Sequence, residues 1–170
     1  MSAATALFAL SAGTSVALAA SAANPPQTLF ECSDQRWRVS LLGTDDGRLV
    51  LLTAPHGRGM GNAQSAWDEV RQGYVVGQQG GHQSHIRLYD GVRHIILFEG
   101  EDGQLADRPG RTYAGAVTQT ARDPQQDFSV VCAADAINGA LVENLIDWAE
   151  RTGVPRPEAE EPDSPFNGWF

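Results

Sequence analysis

The chain has 170 residues, with 21 acidic and 12 Lys or Arg side chains and a formal net charge of -9. That balance argues against a nucleic-acid backbone or an anionic membrane surface as partner, and it suits a soluble protein or one that meets a basic partner. Removing the first 23 residues leaves a chain long enough for one domain with one core.

Residues 1–23 read as an export signal. Residues 3–20, AATALFALSAGTSVALAA, are small and apolar without a charge, and Ala20-Ser21-Ala22 fits a small-residue cleavage site. Asn24-Pro25-Pro26 then opens a β-rich domain over residues 24–153, followed by an acidic, Pro-rich tail over 154–170.

Strands are expected at 28–32, 36–42 and 48–53. RWRVSLL alternates, with Trp37, Val39 and Leu41 on one face, and GTDDG supplies the turn into its return strand. The run PHGRGMGN is a loop by its Gly and Pro content, and its backbone N–H groups with His56 and Arg58 are candidate ligand contacts. It lacks the spacing of a P-loop or a dinucleotide fingerprint. Residues 65–71 read as a short helical turn or an edge segment, and 74–78 as a short strand.

The central stretch SHIRLYDGVRHIILFEG is a hairpin by the Asp90-Gly91 dipeptide, with a two-residue turn pairing Arg87 with His94 and Ile86 with Ile95. Alternation puts Ile86, Leu88, Arg93, Ile95 and Leu97 on a core face. The opposite face carries His85, Arg87, Tyr89 and His94 beside Ile96 and Phe98, and is the candidate binding face. His82, His85 and His94 make a poor metal set because Arg87 would oppose a cation. The acidic loop at Glu99, Glu101, Asp102 and Asp107 lacks EF-hand spacing.

Strands at 112–119 and 128–132 complete a mainly β fold. It is a small antiparallel β-barrel or sandwich of about seven to eight strands. Apolar residues Leu141, Val142, Leu145, Ile146, Trp148 and Ala149 then recur at helical spacing, with Gly153 placed as an αL cap, giving one C-terminal α-helix. The tail should lack regular structure, with its final aromatics, FNGWF, docking on the body. Two cysteines in an exported chain, Cys32 and Cys132, read as a disulfide joining the first and last strands. No serine elbow, catalytic cysteine or C-x-x-C is present, so no catalytic residue, metal or cofactor is assigned.

Two resemblances add to this. Phe98-Glu99-Gly100-Glu101, residues 111–117, Cys132 and Trp148-Ala149-Glu150-Arg151-Thr152-Gly153 together resemble a group of small exported bacterial proteins of unassigned activity. Phe30-Glu31-Cys32 at the first strand resembles the opening of the periplasmic inhibitors of c-type lysozyme, which are small disulfide-stapled β-barrels. The export signal, the disulfide, the acidic charge and the absence of a catalytic constellation point to an exported, non-enzymatic β-protein that binds a basic protein or a cell-envelope component, a hydrolase inhibitor in its most specific form, and the resemblances add support for the fold and the exported location. The alternative is a small-ligand carrier or enzyme working through His85, Arg87, Tyr89 and His94. No nucleic-acid partner is expected, nor integral membrane association once the signal is removed.

Overall fold

The computed structural model describes residues 25–57, 61–120, 123–132 and 140–170. The stretch read as an export signal, Arg58 and the approach to the helix at Gly139 fall outside the described residues.

The described chain is mainly β with one helix, in two sheets. The first holds β1 (Gln27–Ser33), β2 (Trp37–Gly43), β3 (Leu49–Pro55) and β4 (Asn62–Gln64), antiparallel and in that order. The second contains β5 (Glu69–Val76), β6 (His82–Tyr89), β7 (Arg93–Glu101), β8 (Thr112–Thr120) and β9 (Asp123–Val131) as an antiparallel meander. The two-residue β10 (Glu158–Ala159) is added in parallel on β5. Neither sheet closes into a barrel. Residues 65–71 form no helix: β5 already runs from Glu69, so the strand expected at 74–78 begins five residues earlier.

Alternation explains the core. Val39 and Leu41 of β2 and Leu49 and Leu51 of β3 point inward from the first sheet. Ile86 and Leu88, Ile95 and Leu97, and Ala114 and Ala116 meet them from the second. In β1 both Leu29 and Phe30 are buried, which simple alternation forbids; a register shift between Thr28 and Phe30 brings both inward.

The helix α1 (Leu141–Thr152) joins this core through Leu141, Leu145, Trp148 and Ala149. Its first turn has no side-chain cap of its own. Glu99 of β7 serves instead, accepting the Leu141 N–H at 2.6 Å. Burial pushes the Glu99 carboxyl above its ordinary range, against the pull of the helix N–H groups. Gly153 takes the left-handed cap at φ 73° and donates to the Ala149 carbonyl. Trp148 lies over Gly43, and its indole N–H donates to the Thr44 carbonyl at 3.0 Å. Gly43→Ala would drive a methyl into that ring, so we expect a loss of about 1–3 kcal/mol in denaturant unfolding.

Cys32 and Cys132 are bonded, with Cα atoms 5.1 Å apart, and link the β1 edge of one sheet to the end of β9 at the edge of the other.

Candidate functional site

The central hairpin forms with a different turn. Tyr89 pairs with His94, Arg87 with Ile96 and Ile86 with Leu97. The register is therefore two residues from the one that Asp90-Gly91 implies. The central turn residues are Gly91, at φ 85°, and Val92, while Asp90 does not adopt positive φ. The Asp90 carboxylate supplies the reason. It accepts the N–H groups of Val92 and Arg93 and a hydrogen bond from the Gln64 amide. Burial opposes its ionisation, but these donors outweigh it and bring its pKa down to about 2. A two-residue slip keeps every side chain on its face, where a one-residue slip would invert the sheet.

Both predicted faces therefore survive. Ile86, Leu88, Ile95 and Leu97 are in the core, while His85, Arg87, Tyr89 and His94 lie together on the outer face of the second sheet. His56 lies elsewhere, in the turn after β3, where its N–H donates to the Arg36 carbonyl.

The outer face is not open. Residues 158–170 lie across it, without regular structure beyond the two-residue β10. Arg87 is 5% exposed and grips Glu160 with two donors, Nε to Oε1 and Nη2 to Oε2. Its Nη1 donates to Glu69 at 2.8 Å and lies 3.2 Å from His94 Nδ1. Burial alone would lower the Arg87 pKa, but the two carboxylates raise it, so the guanidinium stays charged. Phe166 covers the guanidinium, 4.6 Å from ring centroid to Cζ, and also contacts the His94 ring, which stacks on Tyr89. Further along, the buried Gln83 holds the tail backbone from both sides. Its amide N–H donates to the Gly168 carbonyl at 3.1 Å, and its oxygen accepts the Phe170 N–H at 3.2 Å. Phe170 packs against His85 and Phe98, and Trp169 lies over Gly77.

His85 is the anomaly. It has no exposed surface, and neither ring nitrogen has a hydrogen-bond partner. Its Nε2 is 4.0 Å from Glu160 Oε1, and its ring fills the space left by the missing side chain of Gly73. Burial lowers its pKa, with Glu160 pulling upward and Arg87 downward. The His94 pKa is lowered as well, first by burial and then by Arg87, against Glu69, Glu160 and Asp90. Gly73→Ala would set a methyl into the His85 ring. We expect it to cost about 1–3 kcal/mol, read as a lower denaturant midpoint.

These shifts fix a pH dependence. Burial, the largest cause lowering both histidines, is relieved when the segment lifts, so each ring becomes easier to protonate and moves toward its ordinary value of 6.5. The open form therefore binds more protons just below that value. Docking of residues 158–170 is at full strength above it and weakens as pH falls through it. We expect the segment to be cut severalfold faster by a protease at about pH 5 than at about pH 7.5, and His85→Leu to flatten the difference. Equal rates at both pH values in the native chain would contradict this account.

As it stands, the cluster is a clasp. Each guanidinium nitrogen of Arg87 is engaged, and His85 has no exposed surface beneath the segment. Glu69, Gln83, Glu160, Phe166 and Phe170 complete it, and only the aromatic ending FNGWF signalled any of them in the sequence. Of the acidic loop, Glu99 caps α1 and Asp102 pairs with Arg111 at 2.8 Å. Among the described residues, no group of three His, Cys, Asp or Glu gathers as a metal-holding set.

Several open concavities lie elsewhere among the described residues, and two of them are roomy. One, about 730 Å³, opens between the sheets over Val39, Leu51, Ile95 and Ala116, with Gln64 and Arg93 at its rim. The other, about 770 Å³, runs along β5 between α1 and the docked segment. Comparison with protein families, with curated proteins and with solved structures finds no match to this chain.

Proposed function

We propose that this chain is an exported, non-enzymatic binding protein whose partner is a basic protein of the cell envelope or its surroundings. The observation that carries this reading is the sealed state of the His85 and Arg87 face. The cationic and imidazole groups most suited to chemistry are committed to holding the chain's own Glu160, Phe166 and Phe170. What remains outside is dominated by carboxylates, in keeping with a net charge of -9. The Cys32–Cys132 bond supports an oxidising compartment, and the single core shared by the two sheets favours a sandwich. Inhibition of a basic hydrolase is the most specific form of this function. The oxidised protein, titrated onto immobilised c-type lysozyme, should bind with a micromolar or tighter Kd that weakens as salt rises. No binding at low salt would remove a basic hydrolase as the partner.

A second reading, a small-ligand carrier, draws on the cleft between the sheets. Its size and apolar floor suit a small amphipathic molecule, with Gln64 and Arg93 placed to orient a polar end. A fluorescent fatty acid should then receive energy from the tryptophans in a saturable way, with Trp37 of this cleft the nearest donor and Trp37→Phe reducing the transfer; no saturable transfer retires the reading.

A further inference from the structure

Half of β5 has no strand beside it on its outer edge among the described residues. β5 is the penultimate strand of its sheet, and β10 covers it only opposite Arg71 and Gln72. The Glu160 N–H donates to the Gln72 carbonyl at 2.8 Å, so the backbone of Gln72 faces away from β6. The two-residue period of an antiparallel pair turns the N–H and C=O groups of Tyr74 and Val76 the same way. Beyond Ala159 the chain leaves the edge for the sheet face, and among the described residues no strand lies beside 73–76 on that side.

Edges of this kind are usually blunted by Lys, Pro, a bulge or a covering segment. Here residues 73–76 are Gly-Tyr-Val-Val, paired to β6 without a bulge. Tyr74 and Val76 are 61% and 69% exposed. The edge forms the floor of the 770 Å³ groove. Val142 and Ile146 of α1, with the exposed Glu143, wall one side, and Ala159, Glu160 and Asn167 wall the other. Glu160 is held by Arg87, which leaves Glu143 as the wall carboxylate facing a guest.

The geometry points to this edge as a docking site for an extended segment of a partner protein, apolar at alternate positions and flanked by Lys or Arg, which adds beside 73–76 as a strand. The inference rests on the binding reading above and names its surface and partner chemistry. The backbone of Tyr74 and Val76 supplies the ladder bonds, and Tyr74, Val142 and Ile146 take the apolar side chains. Glu143 selects for the basic flank. A second copy of the chain is disfavoured as the occupant, because both copies carry a net charge of -9 and the same Glu143 on the wall of the groove. β10 already shows that this strand accepts a partner on the open side.

The test uses the oxidised protein, ¹⁵N-labelled, and an acetylated hexapeptide, Lys-Val-Thr-Val-Thr-Lys. The expected result is saturable shifts at the amides of Tyr74 and Val76 and at Val142 and Ile146. The same peptide N-methylated at alternate residues should bind about tenfold more weakly or worse, because it cannot form the ladder. Glu143→Lys changes an exposed side chain in the first turn of α1 and leaves the buried Leu141, Leu145 and Trp148 in place. It should weaken the Lys-flanked peptide severalfold and strengthen a Glu-flanked one. Unmoved Tyr74 and Val76 amides at millimolar peptide, or equal affinity for the N-methylated peptide, would overturn the site. So would a β5-paired dimer in light scattering and cross-strand contacts. A protein that binds lysozyme yet ignores the hexapeptide loses this site and keeps its function; one that binds the hexapeptide at β5 yet no basic protein keeps the site and loses that partner class.

Discussion

Glu160→Gln is expected to release residues 158–170 from the sheet while leaving the core folded. In the native protein the side chains of Arg87 and Glu160 are 6% and 3% exposed, and they satisfy one another. Removing one member of a buried pair typically costs about 3–5 kcal/mol, because the remaining charge is left without compensation. Glu69 still faces Arg87 at 2.8 Å, which places this case at the low end of that range. Two responses are available. Arg87 stays buried with Glu69 as its one carboxylate, or the segment lifts away and water solvates it. The second gives up the β10 ladder on β5, the Arg71 contacts to Glu158 and the Ala159 carbonyl, the Gln83 contacts and the packing of Phe166, Trp169 and Phe170, but it leaves no half-compensated charge buried, so we expect it to win. A loss of about 3 kcal/mol in docking corresponds to amide exchange faster by on the order of 100-fold across the segment. Core amides in β6 and β7 should be nearly unchanged. Arg87→Met combined with Glu160→Leu should restore protection, since an apolar pair of similar volume often replaces a buried ion pair without loss. Unchanged exchange in Glu160→Gln would mean that the aromatic contacts alone hold the segment.

That clasp marks the boundary of what the sequence could reveal. The two faces of the hairpin were legible because alternation is local: Ile86, Leu88, Ile95 and Leu97 declare the core whatever the exact register. The turn was misplaced because Asp90-Gly91 favours one geometry by backbone preference, while the Asp90 carboxylate, bonded to two N–H groups and to Gln64 from β4, imposes another. β5 was cut short because Gly73 reads as a break; its bare backbone in fact makes room for His85. The αL cap at Gly153 and the helical spacing of Leu141, Leu145 and Trp148 were local signals, and both hold. Glu99, by contrast, looks like one acid of a polar loop, and nothing near it in the chain shows that it caps a helix 42 residues away. The same holds for Glu160, which is 73 residues from Arg87. An acidic, Pro-rich composition reports only that a segment cannot build a core of its own. It says nothing of whether another surface offers a buried guanidinium and a bed of aromatic rings.

Replacing both Cys32 and Cys132 by Ala should be the most damaging change away from the clasp. The bond closes a loop of 100 residues, for which chain-entropy reasoning gives about 4–5 kcal/mol. Against a total stability of about 5–15 kcal/mol for an ordinary domain, that is a third or more. The topology says where the loss falls. The two sheets meet along two seams. At one, the chain passes directly from β4 into β5, and the Trp67 indole N–H donates to the Leu49 carbonyl at 3.0 Å, so the seam is closed by connectivity. At the other, β1 and β9 are edge strands from opposite ends of the chain, and the disulfide is the only covalent link across them. The double variant should therefore melt on the order of 10–15 °C lower. Its β1 and β9 amides should lose exchange protection before those of β3 and β5, and the native protein treated with a reductant should behave the same way. Oxidised and reduced forms with the same melting temperature would show that side-chain packing across β1 and β9 closes the seam unaided. Uniform loss of protection in all strands would place the effect in the unfolded chain alone, with no preferred line of opening.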